Sequence, residues 1–310
     1  MQTPSQRWWH RQTTWPTLTA TQLAEHKQGQ TVTVLIPARN EQDTVAGVVA
    51  PLVDRLRRAG LVDEVLVVDS GSTDRTAAVA AAAGAEVLEV PAEDRGVPLT
   101  GKGAALWWGM QHATGDLVVF LDADVAPSRA ETVVALLTPL LMDAEVCFVK
   151  AAFDRPLTAD GLLRHGSGGR VTELLARPLL NTWWPELAGF VQPLAGELAA
   201  RRSLLAQLPF ATGYGLEIAM LIDVWGLLGL PAMAQVDIGV REHRHHSDAA
   251  LGRMSAEVLA AAVDRRTGPA HGRTLAQFHR GPAGFEQQTT EVRSGFLPAV
   301  GGLVHAWERD

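Results

Sequence analysis

The chain carries one cysteine, Cys147, in 310 residues, which excludes an intrachain disulfide. Its setting, the apolar run Ala144-Glu145-Val146-Cys147-Phe148-Val149, suits a buried thiol in a reducing compartment better than a nucleophile. Long apolar runs are equally scarce. The richest window, Leu216 to Val236, is broken by Glu217, Asp223, Gly226, Gly229 and Pro231, which argues against a membrane span. The stretch Gln6-Arg7-Trp8-Trp9-His10 lacks the apolar core of a signal peptide, so the expected location is cytoplasmic. Positive charge is short as well: a formal net charge of −7 disfavours nucleic acid, whose phosphates demand a dense basic surface. An anionic ligand must therefore find local cations, and the densest basic stretch runs from Arg241 to His246.

What the chain does have is apolar residues, 47% of the total, enough to bury a sizeable core. From Thr31 to Val149 they come in a rhythm. Apolar runs near residues 32–36, 65–68, 86–90, 117–121 and 145–149 read as strands, and segments near 43–59, 74–83, 102–113 and 128–142 read as helices. Alternation of this kind predicts an α/β fold, a Rossmann-like, mostly parallel sheet with helices on both faces. Ligands of such sheets bind beyond the carboxyl ends of the strands, where the polar clusters of this chain fall. The rhythm breaks after Lys150, and beyond about Arg266 a glycine-rich polar tail reads as either a packing arm or a flexible segment.

Four clusters carry chemistry. Asp122-Ala123-Asp124 follows the apolar run Leu117-Val118-Val119-Phe120-Leu121 and delivers two carboxylates to a strand end; it is either a Mg²⁺ or Mn²⁺ ligand pair or a turn with a helix cap at Asp124 or Ser128. Its place after a buried strand favours the cation. Asp69-Ser70-Gly71-Ser72-Thr73-Asp74 is a strand exit and a helix start, in which Asp69 and Ser70 could meet a base or ribose while Ser72, Thr73 or Asp74 caps the helix. Gly101-Lys102-Gly103 opens a helix with a cation suited to a phosphate, although a lysine taken singly is more often a solvated surface residue. Pro37-Ala38-Arg39-Asn40-Glu41 completes the set at the end of the first strand.

In this order the clusters resemble the donor domain of GT-A-type nucleotide-sugar glycosyltransferases, over about 95 residues. That resemblance implies that Pro37, Ala38, Arg39, Asn40, Glu41, Asp69, Ser70, Lys102, Asp122 and Ala123 hold the donor, with Asp122 and Asp124 on the metal. Further along, Gly168 to Leu180, Gln192-Pro193-Leu194-Ala195-Gly196-Glu197 and Gly213-Tyr214-Gly215-Leu216-Glu217-Ile218 are similar to the glucosyl-3-phosphoglycerate synthase family of actinobacteria, the likeness spanning roughly residues 7–265. The family resemblance implies retaining transfer of glucose from UDP-glucose to the 2-hydroxyl of 3-phosphoglycerate, with Mg²⁺ or Mn²⁺, by a homodimer. GDP-mannose is the donor of a sister enzyme with closely similar motifs.

The breaks in rhythm and composition divide the chain into an arm (1–30), a donor and metal domain (31–150), an acceptor-binding part (151–266) and a tail (267–310). The family resemblance assigns roles within them. It makes Gly169, Arg170 and Thr172 binders of the acceptor's phosphate and carboxylate, a role that a guanidinium beside a glycine-rich helix start can fill. It makes Glu217 an orienting residue and not a nucleophile, His243 a third metal ligand beside Asp124, and Arg241 an acceptor or diphosphate contact at the catalytic centre. The bland alternatives are a helix-dipole partner for Glu217 and a solvated basic turn for the histidines. At His245, an acceptor-site position, the chain departs from the asparagine common in the family, and Pro91 to Thr100 and Phe153-Asp154-Arg155-Pro156 also depart. Trp8-Trp9, Trp107-Trp108 and Trp183-Trp184 read as packing rather than carbohydrate stacking.

Overall fold

The computed structural model describes residues 4–301 apart from 14, 95, 125–129, 160–161, 165–168, 242–246, 271 and 282–283. Its centre is a seven-stranded sheet: β1 (Val32–Ala38), β2 (Glu64–Asp69), β3 (Glu86–Glu89), β4 (Leu117–Phe120), β5 (Phe148–Asp154), β6 (Leu198–Arg201) and β7 (Met233–Val240), in spatial order β7-β5-β6-β4-β1-β2-β3. Six strands run parallel and β6 runs antiparallel to both of its neighbours. The expected mostly parallel α/β sheet is therefore what forms.

The strands read as unbroken apolar runs because helices cover both faces. Leu35, Leu66, Val68, Val118 and Phe120 face one layer, which holds α1 (Pro4–Gln12), α5 (Lys102–His112), α7 (Arg177–Trp183), the short α8 (Arg202–Leu205), α9 (Leu216–Leu228) and α10 (Asp248–Thr267). Val34, Ile36, Val65, Val67 and Val119 face the other, with α2 (Ala20–Glu25), α3 (Val45–Pro51), α4 (Thr76–Ala82) and α6 (Ala130–Met142). Leu35 and Ile36 are fully buried on opposite faces, and each such side chain is worth roughly 1.5–3 kcal/mol over an exposed one. Pro51 ends the regular part of α3, and the chain continues in a wider π-helical turn over Leu52–Arg57.

Several differences from the sequence expectation have local causes. The strand expected at 145–149 begins at Phe148, because Asp143 Oδ1 accepts the amide of Glu145 and the Asp143 carbonyl accepts the amide of Val146, closing a turn. Cys147, lying just before the strand, is half-buried and not sealed in the core. Strand β6, Leu198-Ala199-Ala200-Arg201, has low intrinsic strand preference and forms because β4 and β5 hydrogen-bond it on both sides. Within the described part of the tail, Thr274–Gly281 and Gly284–Glu291 pair as the hairpin β8-β9, Phe296–Leu297 pairs with Phe210–Ala211, and the Trp107 indole donates to the Pro298 carbonyl at 2.7 Å. Trp8, Trp107 and Trp184 are buried, Trp8 donating to the Met233 carbonyl, whereas Trp9 is largely exposed. No helix among the described residues is long and apolar enough to cross a membrane.

Candidate active site

The loops after β1 and β2 are stitched to each other. Ser72 Oγ accepts the Asn40 amide at 2.9 Å, Asn40 Oδ1 accepts the Thr73 amide at 2.8 Å, and Thr76 Oγ1 accepts the Glu41 amide at 2.8 Å. Asn40 holds a left-handed φ of 56°, a conformation that asparagine tolerates better than most residues and that aims its amide across to the second loop. Buried Asp69 accepts the Ser72 amide at 2.8 Å. Of the three cap candidates, Asp74 is the one that engages the start of α4, accepting both the amide and the hydroxyl of Thr76, chiefly the hydroxyl holding its carboxyl below the usual range. Arg39 lies exposed at the rim, with Pro37 half-buried and Ala38 buried behind it.

Strand β4 ends where the Leu121 amide donates to the Leu35 carbonyl, and the chain then delivers Asp122, buried Ala123 and exposed Asp124. Lys102, at the first turn of α5, lies 2.6 Å from Asp122 Oδ1 and donates to Glu217 Oε1, at the first turn of α9, at 2.9 Å. Burial alone would depress the lysine pKa; the two carboxylates outweigh it and hold the pKa above its ordinary value. The flanking Gly103 serves packing, since a Cβ there would fall 1.9 Å from the Ala211 carbonyl oxygen. Gly196 serves the site itself. A Cβ on it would fall 2.2 Å from Lys102 Nζ and 2.6 Å from Asp122 Oδ2, so the Ala195-Gly196-Glu197 turn forms a flush wall against the ion cluster.

Behind that wall lies a residue that the sequence reading passed over. Lys150, fully buried on β5, donates from Nζ to the Ala195 carbonyl at 2.7 Å. Burial pushes its pKa down to about 8 while the charge of Glu217 pulls the other way. A lysine inside the run Phe148-Val149-Lys150-Ala151-Ala152 was the available signal, because ammonium groups are rarely buried without partners. Glu197, whose only mark in the sequence is its motif, belongs here too. It is buried against Arg241 at 2.7 Å, and Arg241 also donates to Thr132 at 2.9 Å. Burial pushes Glu197 up to about 7 against the pull of Arg241.

On the other side of the site Gly169, with φ of 75°, stands before the helical turn that carries exposed Arg170 and buried Thr172. Arg170 is ion-paired with Asp248 at the start of α10. Arg155, unremarked as a site residue, reaches this strip: its Cδ and the Thr172 Cβ both approach the Cβ position of Gly169, at 3.7 and 3.6 Å. The structure thus brings together Lys102, Asp122 and Glu217, and it turns Arg241 inward to Glu197. Gly168, His243 and His245 lie outside the described residues.

The oxygen pair Asp122 and Asp124 at a strand exit fits a hard divalent cation, which is commonly held by one or two carboxylates plus substrate phosphates. Among the described residues no group of three or more His, Cys, Asp or Glu side chains is arranged to hold a metal.

Residues 33–184 match the model of glycosyl transferase family 2. A glucosyl-3-phosphoglycerate synthase of Mycolicibacterium paratuberculosis is 46% identical over 304 residues, covering 95% of this chain and 90% of that protein. The chain belongs to the glucosyl-3-phosphoglycerate synthase family. A Petrotoga mobilis member of that name is 36% identical over 244 residues, covering 78% of this chain and 75% of its own. Among solved structures, the Mycobacterium tuberculosis glucosyl-3-phosphoglycerate synthase in complex with Mn²⁺, UDP and phosphoglyceric acid superposes with a TM-score of 0.83 at 42% identity, covering 94% of this chain and 98% of that one. Mannosyl-3-phosphoglycerate synthase of Rubrobacter xylanophilus superposes with a TM-score of 0.84 at 38% identity, covering 96% and 98%. The M. tuberculosis family member is also known with UDP-glucose bound, and with Mg²⁺ and UDP. The resemblance read from the motifs and the GT-A-like architecture therefore both stand.

Proposed function

We propose that this protein is a retaining glucosyltransferase that moves glucose from UDP-glucose to the 2-hydroxyl of 3-phosphoglycerate. The observation that carries the chemistry is Lys102 clamped between Asp122 and Glu217, at the strand end where a donor diphosphate would sit. The family relatives supply the substrates.

In this reading residues 31–150 hold the donor. The stitched loops at Asn40 and Asp69 receive the nucleoside, and Lys102 presents its ammonium to the diphosphate. Mg²⁺ or Mn²⁺, when bound by Asp122, Asp124 and His243, neutralises charge on the departing diphosphate. Residues 151–266 hold the acceptor, with Gly169, Arg170, Thr172 and His245 around its anionic groups. Glu217 orients a hydroxyl and does not attack the sugar, a role its burial and its bond to Lys102 support. The bond from the anomeric carbon to the diphosphate oxygen then breaks as the acceptor oxygen bonds on the same face, the acceptor proton passing to the leaving phosphate. Arg241 steadies the centre from behind, through Glu197. A cytoplasmic location accords with the single cysteine, and a homodimer is the family expectation.

A second reading keeps the chemistry and takes GDP-mannose, favoured by the likeness to the mannosyl enzyme. Incubating the protein with Mg²⁺ or Mn²⁺, each donor and 3-phosphoglycerate, and following the product by mass spectrometry and NMR, separates the two. Glucosyl-3-phosphoglycerate with the anomeric configuration of the donor is expected from UDP-glucose. Asp124→Asn should lower turnover on the order of 10³-fold. Absence of any 3-phosphoglycerate adduct, or full turnover by the Asp124→Asn variant, overturns the proposal.

A further inference from the structure

Lys150 takes no part in the reaction just described, yet it is the most completely buried cation of the described chain, at 0% exposure. Its place is set by the sheet. Lys150 pairs with Leu198 across β5 and β6, and the next residue, Ala151, donates its amide to the Glu197 carbonyl at 3.1 Å. Its own Nζ holds the Ala195 carbonyl. Residues 195 and 197 are thus both tied to β5, which leaves Gly196 between them, pressed against Lys102 and Asp122. A full positive charge in such a place is costly unless it is compensated, and the groups whose charges act on it are Glu217, Lys102 and Asp122.

We propose that Lys150 is a positioning residue of the donor site, a sealed cation that holds the Ala195-Gly196-Glu197 wall in place and offsets the charge of one carboxylate in front of it. Asp122 and Glu217 place two negative charges around the single ammonium of Lys102. Lys150 brings that cluster toward neutrality from behind, without occupying space that a ligand needs. A nucleoside diphosphate, itself an anion, then meets a site that does not repel it, while the carboxylates remain available to a cation. The inference rests on the donor-site reading above.

Charge compensation has a signature that mere packing lacks: its loss moves cation and anion affinities in opposite directions. Lys150→Gln keeps a hydrogen-bond donor for the Ala195 carbonyl and removes the charge, and Lys150→Met removes both. Mn²⁺ binding, followed by electron paramagnetic resonance, and UDP binding in metal-free buffer, followed by calorimetry, report the two signs on protein alone. Both variants should bind Mn²⁺ more tightly and UDP more weakly, each by about tenfold, the size expected for one unit charge acting through a partly polar interior. Thermal unfolding checks that each is folded, and the Gln variant alone decides the charge if the Met variant does not fold.

Wild-type affinities for both ligands in Lys150→Gln overturn the proposal, as does a change of both affinities in the same direction. Wild-type protein that binds neither Mn²⁺ nor UDP sinks the donor-site reading and this inference with it. Wild-type protein that binds both, with no opposed shift in the variants, sinks the Lys150 inference alone.

Discussion

Around Lys102 a carboxylate from the end of β4 and one from α9 converge on one lysine, and Gly196 presses on Lys102 and Asp122. Elsewhere in the site Arg170, next to Gly169, is ion-paired with the exposed Asp248, and Arg241 is buried against Glu197. On the donor side as proposed, the ion cluster is organised before any ligand arrives, since buried backbone braces it. On the acceptor side as proposed, exposed Arg170 is engaged by a side chain that an anion could displace. Tight preorganisation suits the part of the site where a diphosphate must be handled in the transition state. A displaceable partner suits the part where a small anion must enter and leave.

The largest effect that could break this contrast comes from Gly196→Ala. The nearest atoms to the new Cβ are the ends of the Lys102 and Asp122 side chains, so the protein should stay folded with those ends forced apart. The expected loss in kcat/KM is on the order of 10²-fold, the cost of displacing a positioning group by about an ångström. Unchanged steady-state kinetics would mean that the wall is not rigid.

A middle-sized effect concerns Glu197. Its folded pKa is raised to about 7, so the fold holds this proton more tightly than the unfolded chain does. The contribution to stability is then fully present below about pH 4.5 and is lost as pH rises through about 7. The difference in unfolding free energy between wild type and Glu197→Gln, measured by denaturant titration across roughly pH 4 to 8, should change in the direction of favouring the Gln variant as pH rises. A difference that is flat with pH would show that the pull of Arg241 cancels the effect of burial and leaves the Glu197 pKa the same in the folded and unfolded chain.

The smallest effect is expected at the surface. Asp248→Asn removes the exposed carboxylate that occupies Arg170, and exposed ion pairs are worth about 0–1 kcal/mol. The KM for 3-phosphoglycerate should fall a few-fold with little change in kcat. A rise in KM would mean that Asp248 helps to present Arg170 and does not compete for it.

Much of this was legible in the chain. Val32-Thr33-Val34-Leu35-Ile36 and Leu117-Val118-Val119-Phe120-Leu121 announce buried parallel strands, and the carboxylates that follow them fall at the ligand-binding edge because side-chain and strand direction are set locally. Strand β6 was hidden, because Leu198-Ala199-Ala200-Arg201 has no strand character apart from its neighbours. Lys150 was in plain view as a charged residue in an apolar run, but its burial could be known only once β6 had closed the sheet over it.

The sequence by itself determined the α/β rhythm, the family and the residue types that can meet a cation and a phosphate. Periodicity and short motifs act over a few residues and survive without a folded context. The tertiary structure alone decided who pairs with whom: Lys102 with Glu217 across 115 positions, and Arg241 with Glu197 across 44. An ion pair depends on the distance between charges and on how much water lies between them, and both are set by packing elements that are far apart in the chain.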